Sequence, residues 1–151
     1  MSFEALHQAI VDAVSGIVPS RFVDDPFQLH DVMGVPFLNV APERLRLFAI
    51  DMADVIDDLL NRSATERRVT RDLSLSVAYP VHAFARMVEL EEAASADVAA
   101  IFNAIQPPDV WVNACENLSV DPTVRVSAID GEGGVELARV FSFSISVEVL
   151  V

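Results

Sequence analysis

Within residues 140–151, VFSFSISVEVLV, apolar and polar side chains alternate without a break from Phe141 to Val149. Phe141, Phe143, Ile145, Val147, Val149 and Val151 take one face, and Ser142, Ser144, Ser146 and Glu148 take the other. A period of two is what a half-buried strand requires. The pattern predicts a strand over Val135 to Val151. Its last twelve residues, fully extended, span roughly 40 Å, long for a domain of this size. An exposed edge of that length invites aggregation. The strand is therefore expected in the middle of its sheet or paired with a neighbouring subunit, its apolar face under helices.

A second clean alternation covers residues 69–79. Leu73, Leu75, Val77 and Tyr79 form one face, and Asp72, Ser74, Ser76 and Ala78 the other. That predicts a strand with one wet face, ended by Pro80. Helical spacing appears twice. Phe3, Leu6, Ala9, Ile10, Ala13, Val14 and Ile17 predict an amphipathic helix over 3–18, with Ser2 as its N-cap and Pro19 beyond its end. Val98, Ile101, Phe102 and Ile105 predict another over 88–105. Glu89, Glu91 and Glu92 are placed in its first turn, where the helix dipole favours acids.

The remaining segments read less regularly. Residues 19–35, with Pro19, Pro26 and Gly34, read as loop. Phe37, Leu38 and Val40, between Pro36 and Pro42, predict a short edge strand. Over 43–60, Leu45, Phe48, Met52, Val55, Ile56 and Leu59 fit a helix with Pro42 at its first position. The alternation of its first half also fits a strand, and helix is the expectation. Asn61 to Arg68 reads as exposed loop. VWVNACENL (110–118) and Val124 to Ile129 predict further strands, and DGEGG (130–134) a turn whose glycines allow positive φ. The fold class predicted is α+β: one domain over 1–151, a mostly antiparallel sheet of four to five strands with two helices packed on one face.

Composition narrows the chemistry. The chain has 151 residues and a net charge of −13, from 23 acidic and ten basic residues. Every basic residue is Arg. Without Lys there is no P-loop, Schiff-base or kinase-type lysine. The acidity argues against a nucleic-acid-binding surface, which needs a basic stripe. DNA meeting this surface would be repelled and pass by. Cys115 is the single cysteine, so no disulfide forms within the chain, which fits a reducing compartment. MSFEALHQAIVDAV has no basic n-region, so no signal peptide is expected. No apolar run approaches the ~20 residues of a membrane helix. A soluble protein made in the cytoplasm is the expectation.

No residue set carries a catalytic signature. His7, His30 and His82 are far apart and fit no local zinc pattern. Cys115 has no CxxC partner and reads as a packed cysteine. The serines at 142, 144 and 146 alternate along one strand face, without a G-x-S-x-G elbow. Catalytic residues, cofactor and metal are all expected to be absent. Asp51, Asp54, Asp57 and Asp58 lack the ligand series and Gly of an EF-hand loop. They read as a solvated acidic face, and in a ring as candidates to line a passage that DNA slides through. Arg62, Arg67, Arg68 and Arg71 balance these acids, or form a contact loop for an acidic partner or neighbouring subunit.

In order and spacing the chain resembles the tail terminator (tail-completion) proteins of long-tailed bacteriophages. The features that carry this run in sequence. A helix comes first, FEALHQAIVDAV, then a short strand between prolines, PFLNVAPER. A polar Arg-containing loop enters a strand in ERRVTRDLSLSVAYP. A helix follows, EEAASADVAAIFNAI, then a strand, VWVNACENLSVDP, and a closing strand, LARVFSFSISVEV. The helix expected over 43–60 departs from the layout, in which a loop or hairpin often stands there. The resemblance implies a subunit of a ring, commonly hexameric. The ring sits on the finished tail tube, stops its growth and joins the tail to the head's neck proteins, with DNA in transit through its lumen. The partners implied are a tail tube protein and a head-side neck or stopper protein, and the location the virion. Two other readings stand beside it: another head–tail joining or tube subunit, and a small ligand-binding or enzymatic α+β domain.

Overall fold

A computed structural model of the chain describes residues 3–57, 68–106 and 117–150. These residues form an α+β fold of six strands in one sheet and three α-helices. In chain order the elements are α1 (Phe3–Ser15), β1 (Gln28–Leu29), α2 (Phe37–Val40), β2 (Leu47–Asp57), β3 (Arg68–Pro80), α3 (Met87–Ile105), β4 (Asn117–Val120), β5 (Arg125–Asp130) and β6 (Glu136–Leu150). Single 3-10 turns stand at Ala41–Glu43, Val81–Ala83 and Glu132–Gly134.

β6 is central, as its alternation implied. β3 pairs antiparallel along one side of it, from Arg68 opposite Leu150 to Pro80 opposite Ala138. β4 and β5 share the other side, β4 beside residues 145–148 and β5 beside residues 136–142. β2 lies antiparallel against β3. The two-residue β1 runs parallel to the start of β2, the one parallel pairing among the described strands. The turn before β6 uses Gly133 and Gly134 at φ 72° and 75°, a conformation that side chains with a Cβ resist.

α1 and α3 cover one face of this sheet. Leu6, Ile10 and Val14 of α1, with Leu90, Ala94, Val98, Ile101 and Ile105 of α3, bury against Leu73, Leu75, Val77, Tyr79, Phe141, Phe143, Ile145 and Val147. Each fully buried Leu or Ile contributes roughly 1.5–3 kcal/mol over its exposed state. Phe143 meets Phe102 edge-on, ring centroids 4.7 Å apart, and Tyr79 meets Phe141 at 5.7 Å. Glu89 alone of the three acids falls in the first turn of α3. Glu91 instead accepts a 2.8 Å hydrogen bond from Arg139 Nη1, tying the helix to β6.

Three expectations are corrected. The helix expected over 43–60 is absent from its described residues, 43–57: Leu47–Asp57 form β2. A bulge between Met52 and Asp54 explains the misleading pattern. Phe48, Ile50 and Met52 keep the strand period, and the extra residue then moves Val55, not Asp54, opposite Arg71. The resulting three-residue step from 52 to 55 imitates a helical repeat. Residues 37–40 are a helical turn rather than an edge strand. Pro36 caps it in extended conformation, and Pro42 enters the following 3-10 turn near its start, where a missing N–H costs nothing. Finally, the sheet has six strands rather than four to five; the two expected helices do share one face, and the extra helical turn α2 lies on the other. Phe37, Val40 and Ala41 pack with Leu47, Ala78, Val140 and Ile129 on the side opposite α1 and α3. The strand expected over 110–118 falls largely outside the described residues, as do Trp111 and Cys115; β4 begins at Asn117.

Candidate functional site

The alternation that buries one side of β3 and β6 leaves most of the other side polar. The strand register aligns these positions in rows. Asp51, Ser74 and Ser144 form one row across β2, β3 and β6. Ser76, Ser142 and Arg125 form the next, and Asp72, Ser146 and Ser119 a third. Ser76 Oγ and Ser142 Oγ lie 2.9 Å apart and hydrogen-bond across the strands. Toward Leu47, Ala78 and Val140 the face turns apolar, and there α2 covers it.

A concavity of about 490 Å³ opens on this face where β4 gives way to β5. Ser74, Asp121, Thr123, Arg125, Ser127, Ser142 and Ser144 line it. Pro122 lacks an N–H and interrupts the ladder here. The Asp121 amide donates to the Ser144 carbonyl at 2.9 Å, and its Oδ1 accepts from the Thr123 amide at 2.9 Å. That Asx-type turn stabilises the carboxylate. The Thr123 amide holds the Asp121 carboxyl below its ordinary range, with a smaller pull from Arg125. The lining offers hydroxyls, one cation and one anion. Neither histidine nor cysteine is among them, so the groove presents a hydrated polar surface rather than a nucleophile with a base.

A second polar cluster is buried. Arg46, 0% exposed, stands at the entrance to β2 with φ 56°. Its Nε donates to Asp97 Oδ2 at 2.6 Å, within the apolar stripe of α3. Nη1 donates to the carbonyls of Phe22 and Asp25, at 3.3 and 3.1 Å, and Nη2 to that of Arg21. Tyr79 Oη donates to Asp97 Oδ2 at 2.7 Å. One guanidinium thus ties the segment 21–25 to β2 and α3. Burial, reinforced by the Asp97 charge, pushes the Tyr79 phenol well above its ordinary pKa. Nothing in the sequence pairs Arg46 with Asp97, 51 residues apart. The available signal was Asp97 itself, an acid on the apolar stripe of a helix.

The acidic and basic candidates are only partly gathered. Asp51 is exposed on the polar face, and Asp54 is in register with Asp72. Asp57 is in register with Val69, and Asp58 lies outside the described residues. Arg62 and Arg67 also lie outside them. Arg68 begins β3 opposite Leu150. Arg71 is half-buried within β3, between Val69 and Leu73 on the helix-covered side and opposite Val147. His30 Nε2 bonds the Val35 carbonyl at 2.7 Å and His82 Nε2 the Pro42 carbonyl at 3.1 Å, so each braces a loop. Among the described residues no helix is long and apolar enough to cross a membrane. No protein-family profile and no curated protein matches the sequence.

Proposed function

We propose that the protein is a structural subunit of a long-tailed phage virion. Its ring caps the tail tube, ends polymerisation and joins tail to head, while DNA passes through the hole. The observation that carries this is the polar face of the sheet. Rows of hydroxyls with Asp51 and Asp72 form a broad, hydrated, acid-bearing surface. Such a surface suits a passage for a polyanion, because its acids repel phosphate and the single arginine in these rows, Arg125, gives no basic stripe to hold it. Support also comes from the layout. β2 and β3 are antiparallel neighbours, so among the described residues the helix that had set this stretch apart from the terminator layout is absent. A tail tube protein and a head-side neck protein are the partners this role requires, and the virion its location. No cofactor, metal or catalytic residue enters the reading.

A joining or tube subunit of the same virion is the second reading, because the same polar face would serve it. The two differ in closure. A tube subunit stacks without limit through contacts that do not close, whereas a terminator stops at a ring. Mass measurement in solution with negative-stain imaging separates them. A closed ring near six times 16.5 kDa supports the terminator. Long filaments favour the tube subunit. A monomer at every concentration counts against both.

A further inference from the structure

The two edges of the sheet differ in a way that fits one to the other. Beyond the short β1, no described strand lies against the outer side of β2 from Ile50 to Asp57, and none lies beyond β5. On the polar side, β2 presents Asp51 and β5 presents Arg125. On the helix side, β2 presents Ile50 and Met52, the latter 42% exposed. There β5 presents Val126, 55% exposed, at the lip of an apolar groove of about 370 Å³ floored by Val98, Phe102 and Phe141. Each edge therefore pairs a charged residue on one face with an apolar residue next to it on the other, and the charges are opposite.

We propose that β2 of one subunit pairs with β5 of the next, Asp51 meeting Arg125 on the polar face and Ile50 and Met52 closing the apolar groove beside Val126. Strand direction permits it. β2 and β6 run one way, β3 and β5 the other, so a neighbour's β2 beside β5 continues the antiparallel alternation. Open edges add strands readily because the backbone groups are already aligned. Charge selects the partner: two β2 edges would set acid against acid, which opposes pairing. The contact is heterologous, using two different patches, and such contacts close into rings or extend as filaments. Closure rests on the ring reading given above; the edge pairing is tested apart from it.

Sedimentation of the full chain is compared for wild type, Asp51→Arg, Arg125→Asp and the double charge exchange, with circular dichroism as the folding control. Both residues are exposed, so all four proteins keep their fold. Each single reversal raises the concentration needed for half assembly by roughly five- to tenfold, as a lost and then repulsive surface pair implies. The double exchange restores it. Filaments weakened and restored in the same pattern support the edge contact while removing the closed ring. A ring that neither reversal weakens overturns the contact and leaves the ring reading standing. A wild-type dimer, which implies one edge paired with its own copy, overturns the contact. A wild type that stays monomeric overturns both.

Discussion

Arg46 is held where an arginine is costly to keep. Its backbone sits at φ 56° and its side chain is out of water. A left-handed non-glycine residue costs of order 1–2 kcal/mol, and the charge adds a desolvation penalty. Asp97 and three carbonyls offset this. Removing one partner of such a buried pair leaves the other uncompensated, so Arg46→Met is expected to destabilise by about 3–5 kcal/mol, measured by urea unfolding. Tyr79→Phe removes only a hydrogen bond and is expected to cost about 1–3 kcal/mol. Tyr79 also gives a pH test, because it is the single tyrosine of the chain. Its folded pKa is raised, so its contribution is complete below about pH 10, where both states hold the proton. That contribution is lost as the pH climbs from there through the raised folded value. Phenolate absorbance is therefore expected to appear together with the loss of circular dichroism. Ionisation of Tyr79 in a chain that stays folded would show the phenol to be open to solvent.

The segment that Arg46 holds shows how far pattern reaches at the scale of elements. Residues 19–27 have no periodicity and read as loop, yet Phe27 is buried and the carbonyls of Arg21, Phe22 and Asp25 are fixed. Their order comes from a long-range cation that local spacing does not announce. Where the period is unbroken, in β3, β6 and α3, faces were legible residue by residue, because alternation and burial are the same fact seen twice. Where it is broken, in β2, one bulge was enough to turn a strand into an apparent helix. Around α2, Pro36 and Pro42 fit an edge strand and a helix start equally, and packing on Ala78 and Val140 decided between them. The anchored loop makes its own prediction. Arg21 is exposed, but its carbonyl is held by Arg46. Trypsin is expected to cut slowly after Arg21 in wild type and roughly tenfold or more faster in Arg46→Met, since cleavage follows the population of the opened segment. Equal rates would mean that the guanidinium does not order the loop.

For the whole molecule, charge was the most legible property and its placement the least. The net charge of −13 is read directly from composition, but composition does not say that Asp51 and Asp72 share a sheet face with a field of serines while Arg71 lies on the helix-covered side. Register supplies that: Asp51 lies opposite Ser74, Asp72 opposite Ser146 and Arg71 opposite Val147. If this face lines a passage, its value is that it does not bind. At about 0.1 M salt, where charges are screened beyond about 10 Å, wild-type protein is expected to leave duplex DNA unshifted in a native gel at every concentration that assembles it. Placing cations on the same face, through Asp72→Arg with Ser144→Arg, is expected to create retention. The affinity gained falls steeply with added salt, because each new phosphate contact releases counterions. The edge residues Asp51 and Arg125 stay untouched in that variant, so assembly and DNA contact are read separately. Retention of DNA by the wild type at this salt would mean that the acid-bearing face does not govern the encounter, and the passage reading would fall with it.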